Sequence, residues 1–195
     1  MKFTLVWIAT VTAILLVVAI IIMRKKMPVG PRIPEALEQG KLLPEFSAKD
    51  EAGNTVRSSD LRGKPAVLMF VRGNWCPFCT RQVAGLTTRY KEIIGLGASL
   101  IFVTPKPLET TRRVADFFKV EFEFWLDASV EAAESLGLIF PGGVPADHAE
   151  EYGEDTVWPT AIIVDKDGII RYSKLARFIF DRPNPDVLLK ELQKI

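Results

Sequence analysis

The first two dozen residues follow a different pattern from the rest of the chain. Residues 3–23, FTLVWIATVTAILLVVAIIIM, carry no charge, and three threonines are their only clearly polar side chains. At a rise of ~1.5 Å per residue, a helix of this length covers a hydrocarbon core of ~30 Å. Arg24, Lys25 and Lys26 follow it, where a secretory signal would need a small-residue cleavage site. The pattern predicts an N-terminal transmembrane helix within an uncleaved anchor over residues 1–26. Residues 27–45, MPVGPRIPEALEQGKLLPE, hold four prolines and two glycines and predict a linker with a short helical turn at PEALEQ.

From residue 46 to residue 195 the periodicity is that of one α/β domain. FSAKDEAGNTVRSSDLRGK predicts two short strands around a turn at Gly53 and Asn54. PAVLMFV and ASLIFVT are continuous apolar runs, as strands covered on both faces require. Between them Val83, Leu86, Tyr90, Ile93 and Ile94 recur at helical spacing, so a helix is predicted from Pro77 to about Ile94. PLETTRRVADFFK predicts a second amphipathic helix, and FEFWLD a short strand. Ser129 is the expected cap of a helix over VEAAESLG, ending at Gly137. TAIIVD and IIRYSKL flank the turn KDG, where Gly168 can take positive φ. Asn184 caps a last helix, with Pro185 in its first turn and Val187, Leu188 and Leu192 on its apolar face. Residues 138–157 match no element and are expected to form a long surface loop. Strand and helix alternation implies a central mixed β-sheet, parallel through right-handed crossovers with an antiparallel hairpin added late, and flanked by helices.

Charge narrows the partners. Setting aside Lys2, Arg24, Lys25 and Lys26 leaves 21 basic side chains against 24 acidic, a net charge of −3. Such a domain lacks the basic stripe that a phosphate backbone requires, so nucleic acid is not an expected partner. The membrane is, through residues 3–23. Lys2 and the basic cluster at 24–26 oppose each other across the predicted span, so charge does not fix its orientation. No phosphate-cradling glycine loop, paired-carboxylate site or catalytic triad is present, and no cofactor is implied.

Cys76 and Cys79, in RGNWCPFCTRQ, are the only cysteines of the chain. They fall where a buried strand gives way to a helix, and the positive end of the helix macrodipole favours a thiolate there. Pro77 fits the first helical turn, which has no partner for its missing N–H. Trp75 is expected to shield one side while leaving Cys76 open as the attacking sulfur, with Cys79 closing the disulfide. Three other readings compete with redox chemistry. Structural zinc needs about four ligands, and His148, the single histidine, is the only further soft ligand, so no metal is expected. A purely structural disulfide across so short a loop removes little unfolded-state entropy. Two inert buried cysteines are the third reading. His148 itself lies in a polar loop beside acids and is expected to be solvated. Arg72 is a candidate for stabilising the thiolate by charge, with surface solubilisation as the competing reading.

The pairing of WCPFC at a strand-to-helix junction with WPTAIIVDKDGIIRY downstream resembles the thioredoxin superfamily. Within it, the chain is most similar to the AhpC/TSA peroxiredoxin-like branch, over about residues 44–195. LPEFSAKDEAGNTVRSSDLRGKPAVLMFVRGNWCPFC resembles the opening of that branch, and IIVDKDGIIRYSKLARFIFDRPNPDVLLKEL its close. The resemblance implies a thioredoxin-like fold and a cis-proline at Pro159 facing the cysteines. Trp75, Pro77, Trp158, Pro159 and Thr160 are then substrate-binding candidates. Typical peroxiredoxins place a proline and a threonine seven and three residues before the peroxidatic cysteine. Those places hold Met69 and Gly73 if Cys76 has that role, and Arg72 and Cys76 if Cys79 does, so neither alignment restores the motif.

These readings combine into a membrane-anchored thiol-disulfide oxidoreductase. Its substrates would be protein disulfides, with an external dithiol reductant restoring Cys76 and Cys79. The alternative is a thiol-dependent peroxidase acting on hydroperoxides. From a different class comes a non-catalytic tethered binding module. The resemblance places the domain on the extracytoplasmic, periplasmic side, with the basic cluster at 24–26 arguing for the cytoplasmic one.

Overall fold

The computed structural model describes residues 2–26, 29–106 and 122–195, with side chains in the first helix described at Trp7 and residues 10–22. The helix predicted over PLETTRRVADFFK lies outside the described residues.

A hairpin of β1 (Ser47–Lys49) and β2 (Thr55–Arg57) precedes the buried strand β3 (Ala66–Phe70). There follow α2 (Pro77–Gly95), β4 (Ser99–Thr104), β5 (Glu123–Leu126) and the short α3 (Glu131–Ser135). The antiparallel pair β8 (Thr160–Val164) and β9 (Ile170–Leu175) and the helix α5 (Pro185–Leu192) close the chain. The seven strands lie in the order β2-β1-β5-β4-β3-β8-β9. β3, β4 and β5 run parallel, while β8 pairs antiparallel with β3, giving the expected mixed sheet.

Alternation along β3 splits the core in two. Ala66, Leu68 and Phe70 face one side with Phe46, Trp125 and Leu138, whereas Val67, Met69 and Val71 face the other with Val83, Leu86 and Leu188. The second side is covered by α2 and α5, and both cysteines belong to it. Each large apolar side chain buried in this way contributes ~1.5–3 kcal/mol. Asn184 caps α5 as predicted, its Oδ1 accepting the N–H of Asp186 at 2.9 Å, and Gly168 takes φ +81° in the KDG turn.

Four expectations need correction. Residues 30–45 are not a free spacer, since Leu37 and Leu43 are buried in the core and Leu42 bridges to Ile169. The apolar residues between the prolines are what hold this stretch down. Residues 138–157 are not one loop, because β6 (Ile139–Phe140) pairs with β7 (Thr156–Val157), and α4 (Ala149–Tyr152) lies between them. These elements are too short for periodicity to register. α3 is capped by Asp127 rather than Ser129, the carboxylate accepting the N–H groups of Ala132 and Ala133 at 3.0 and 2.9 Å.

The fourth concerns residues 3–23. They belong to a helix, α1 (Lys2–Lys26), but among the described residues no helix is long and apolar enough to cross a membrane.

Candidate active site

The site forms where β3 ends. Beyond Phe70, the Val71 N–H still donates to the Val103 carbonyl at 2.9 Å, and the chain then leaves the sheet through Arg72. Cys76 is the N-cap of α2 and Pro77 opens its first turn. The Cys76 carbonyl accepts the N–H groups of Cys79 and Thr80 at 3.0 and 3.1 Å. This turn brings the two free thiols together, with 2.9 Å between their sulfurs.

The two sulfurs have opposite acidities. Cys76 titrates at about 6, held down first by the Cys79 thiol donating to it, then by the Cys79 backbone N–H and by the charges of Arg182 and Arg72, against the opposing effect of burial. Burial, followed by the neighbouring Cys76 sulfur, pushes Cys79 well above the ordinary thiol range. Near neutral pH the pair therefore holds one thiolate, on Cys76, and one thiol, on Cys79.

Two arginines address this charge. The Arg182 Nη2 lies 3.4 Å from the Cys79 sulfur and 3.8 Å from that of Cys76. Arg72 is buried, donates to the Gly143 carbonyl, and places its guanidinium 4.3 Å from the Trp75 ring centroid and 5.4 Å from that of Phe140. Burial weakens the Arg72 cation, and the nearby sulfurs support it.

The sequence expectation that Cys76 is open is not met. Its relative exposure is 1%, and access runs through a cleft of about 450 Å³ lined by Arg72, Trp75, Cys76, Phe140, Val144 and Ile179, among others. Pro77 and Phe78 also reach this cleft, so Trp75, Pro77 and Arg72 are brought to Cys76 as expected. Trp158, Pro159 and Thr160 are not among the residues that line it. Trp158 is buried and stacks on Phe140 with ring centroids 4.2 Å apart. No peptide bond among the described residues is cis, and the Pro159 carbonyl accepts the Ala176 N–H at 2.8 Å, so Pro159 extends the sheet pairing. Thr160 is buried in β8 opposite Phe70, its hydroxyl donating to the Trp158 carbonyl. His148 keeps 39% of its side chain exposed, in keeping with a solvated position, while its ring stacks on Trp75 with centroids 6.1 Å apart.

A larger groove of about 780 Å³, lined by Lys64, Asp165, Lys166, Arg171, Glu191 and Lys194 among others, contains no cysteine. Its charges are largely paired with one another, Arg171 with Asp165 at 2.6 Å and Lys194 with Glu191 at 2.7 Å. Among the described residues, no three His, Cys, Asp or Glu side chains come together in a way that could hold a metal ion.

Arg182 and Phe140 are the site residues that sequence reasoning did not find. Arg182 stands 103 positions after Cys79, in FDRPNP, and only its place two residues before the α5 cap marks it.

Known proteins resemble this chain over the greater part of its length. A chloroplastic peroxiredoxin Q from Triticum aestivum is 26% identical over 137 residues, covering 70% of this chain and 58% of the relative, so the chain spans little more than half that protein's length. Peroxiredoxin Bcp from Escherichia coli is 24% identical over 136 residues, covering 70% and 84% respectively. Among solved structures, the peroxidoxin BcpB of Mycobacterium tuberculosis superposes with a TM-score of 0.64 at 21% identity, covering 82% of this chain and 98% of that one. A Cys-to-Ser mutant of peroxiredoxin 6 from Arenicola marina gives 0.66 at 18% identity, covering 80% and 72%. These superpositions establish the thioredoxin-like α/β fold. The model of the AhpC/TSA family matches residues 39–173, the greater part of the chain, and the chain belongs to the AhpC/TSA family.

Proposed function

We propose that the chain is a thiol-dependent peroxidase in which Cys76 attacks a hydroperoxide and Cys79 resolves the product. The thiolate of Cys76 attacks one peroxide oxygen and the O–O bond breaks. Cys76 becomes a sulfenic acid, and the leaving alkoxide takes a proton from solvent. The Cys79 sulfur then displaces hydroxide, which leaves as water with the thiol proton, and a Cys76–Cys79 disulfide remains. An external dithiol reduces that bond and is itself oxidised to a disulfide. The observation that carries this reading is the contact between an acidic sulfur and a non-acidic one 2.9 Å apart at the end of a cleft.

Disulfide exchange with protein clients fits less well. A folded client must present its disulfide to a sulfur that is 1% exposed, whereas a small hydroperoxide enters the cleft. The relatives named above are peroxiredoxins, which favours the same choice. A binding module would not need a depressed thiol pKa.

Single-turnover mixing with hydroperoxide tests the proposal. The parent chain should yield an internal disulfide and Cys79→Ser a persistent sulfenate, while Cys76→Ser should consume nothing. Peroxide reduction no faster than by a free thiol would refute it.

Membrane attachment through α1 is part of the same proposal. Residues 10–22 are all exposed, and all but Thr10 and Thr12 are apolar. Unilamellar vesicles should float the full chain, and Leu16→Asp should weaken that flotation. Recovery of the parent chain without lipid would refute attachment.

A further inference from the structure

The peroxidase reading leaves one chemical gap. A thiolate attacking a peroxide gains from a hydrogen-bond donor that polarises the O–O bond, and the threonine that typical peroxiredoxins use is absent. Its place, three residues before Cys76, is Gly73.

The structure shows what stands there. Gly73 has φ +126°, and a Cβ added to it would meet the Trp75 Nε1 at 3.2 Å and the Tyr152 ring at 3.0 Å. A side chain at 73 and the indole therefore compete for one space, and glycine concedes it to the indole. The ring packs against two neighbours, with the Arg72 guanidinium 4.3 Å from its centroid and the His148 ring stacked at 6.1 Å. Its Nε1 is nevertheless buried without a hydrogen-bond partner. A buried donor left in that state is costly unless a ligand satisfies it. Arg72 Nε is a second such donor, on a residue only 6% exposed. Trp75, Arg72 and Cys76 all line the same cleft.

We propose that the Trp75 indole N–H is the donor to the hydroperoxide oxygen, replacing in space the threonine that Gly73 displaces. Arg72 Nε serves the second peroxide oxygen. The indole transfers no proton. It lowers the barrier by stabilising charge on oxygen as the O–O bond breaks, while the sulfur gains the hydroxyl and the alkoxide is protonated by solvent. This rests on the peroxidase reading and adds to it the group that recognises the peroxide.

Trp75→Phe keeps an aromatic ring and removes the N–H. Two rates are measured at pH 7.5, sulfenate formation with hydroperoxide and alkylation of Cys76 by iodoacetamide, which reads the thiolate alone. Loss of one donor should slow the peroxide reaction by ~10- to 100-fold and leave alkylation within about twofold. A benzothienylalanine at position 75, in which sulfur replaces the N–H in a ring of nearly the same shape, should reproduce that split. Peroxide rates within twofold of the parent overturn the donor role and leave the peroxidase reading standing. A parallel fall in both rates, for both replacements, shows that the ring only holds the site together and also overturns it. If the parent alkylates quickly but reduces peroxide no faster than free cysteine, the peroxidase reading falls and takes this role with it.

Discussion

Cys79→Ala offers the most searching test of how the thiolate is made. The depression of Cys76 from an ordinary 9.0 to about 6 corresponds to ~4 kcal/mol, at ~1.4 kcal/mol per unit of pKa. Its largest source is the Cys79 thiol, 2.9 Å away, ahead of the Cys79 backbone N–H and the two arginines. A hydrogen bond to a charged acceptor is worth ~1.5–3 kcal/mol, so its loss should raise the Cys76 pKa by about one to two units, to between about 7 and 8. Alanine leaves the Cys79 backbone N–H and both arginines in place, which is why the shift should stop short of an ordinary thiol. The assay is the rate of iodoacetamide alkylation at Cys76 as a function of pH. The midpoint should move upward for Cys79→Ala, whereas Cys79→Ser, which keeps a hydroxyl donor, should stay closer to 6. An unchanged midpoint in the alanine variant would refute the reasoning and assign the acidity to the arginines and the helix terminus alone.

Arg182→Met removes the cation 3.8 Å from the Cys76 sulfur, and alkylation at pH 6.5 should slow by ~3- to 10-fold with little change at pH 9; equal slowing at both would mean a collapsed site instead. Stability should depend on the same thiol. The folded pKa of Cys76 is depressed, so its contribution is fully present above the unfolded thiol pKa of ~8.5 and is lost as pH falls toward 6. Between pH 6 and 8 the unfolding free energy of the reduced parent should therefore rise by ~2 kcal/mol relative to Cys76→Ser, measured in urea; Cys79 stays protonated in that window and adds nothing. Asp127→Ala removes both N-terminal hydrogen bonds of α3 and should cost ~1–2 kcal/mol, with no effect on alkylation of Cys76.

Much of this architecture could be read from the chain. β3, β4 and β8 are continuous apolar runs because both faces of the central sheet are covered, and such runs declare themselves. The Cys76–Cys79 turn announced itself through Pro77 and the strand-to-helix junction. The two-residue strands β6 and β7 could not be read, because a pair of residues has no period. Arg182 was hidden for a different reason. A single charged residue in a proline-rich turn looks like solvent-facing punctuation, and only the packing of α5 beside α2 brings it to the sulfurs. Pro159 shows the reverse, where a familiar motif suggested a cis turn, whereas no described peptide bond is cis and the Pro159 carbonyl joins the strand pairing. The cleft that leads to Cys76 was likewise hidden, because Phe140 and Val144 on its wall arrive from a distant part of the sequence.

The spacing of the sulfurs bears on how long an oxidised intermediate can survive. In the proposed cycle the resolving sulfur already stands 2.9 Å away when the first oxygen arrives, placed there by the first turn of α2. Its effective molarity far exceeds any peroxide concentration a cell tolerates. A second oxidant molecule must outpace a bond rotation to carry the sulfenate on to sulfinate, and it loses that race. Such a centre behaves as a steady drain for peroxide rather than as a fuse that burns out under load.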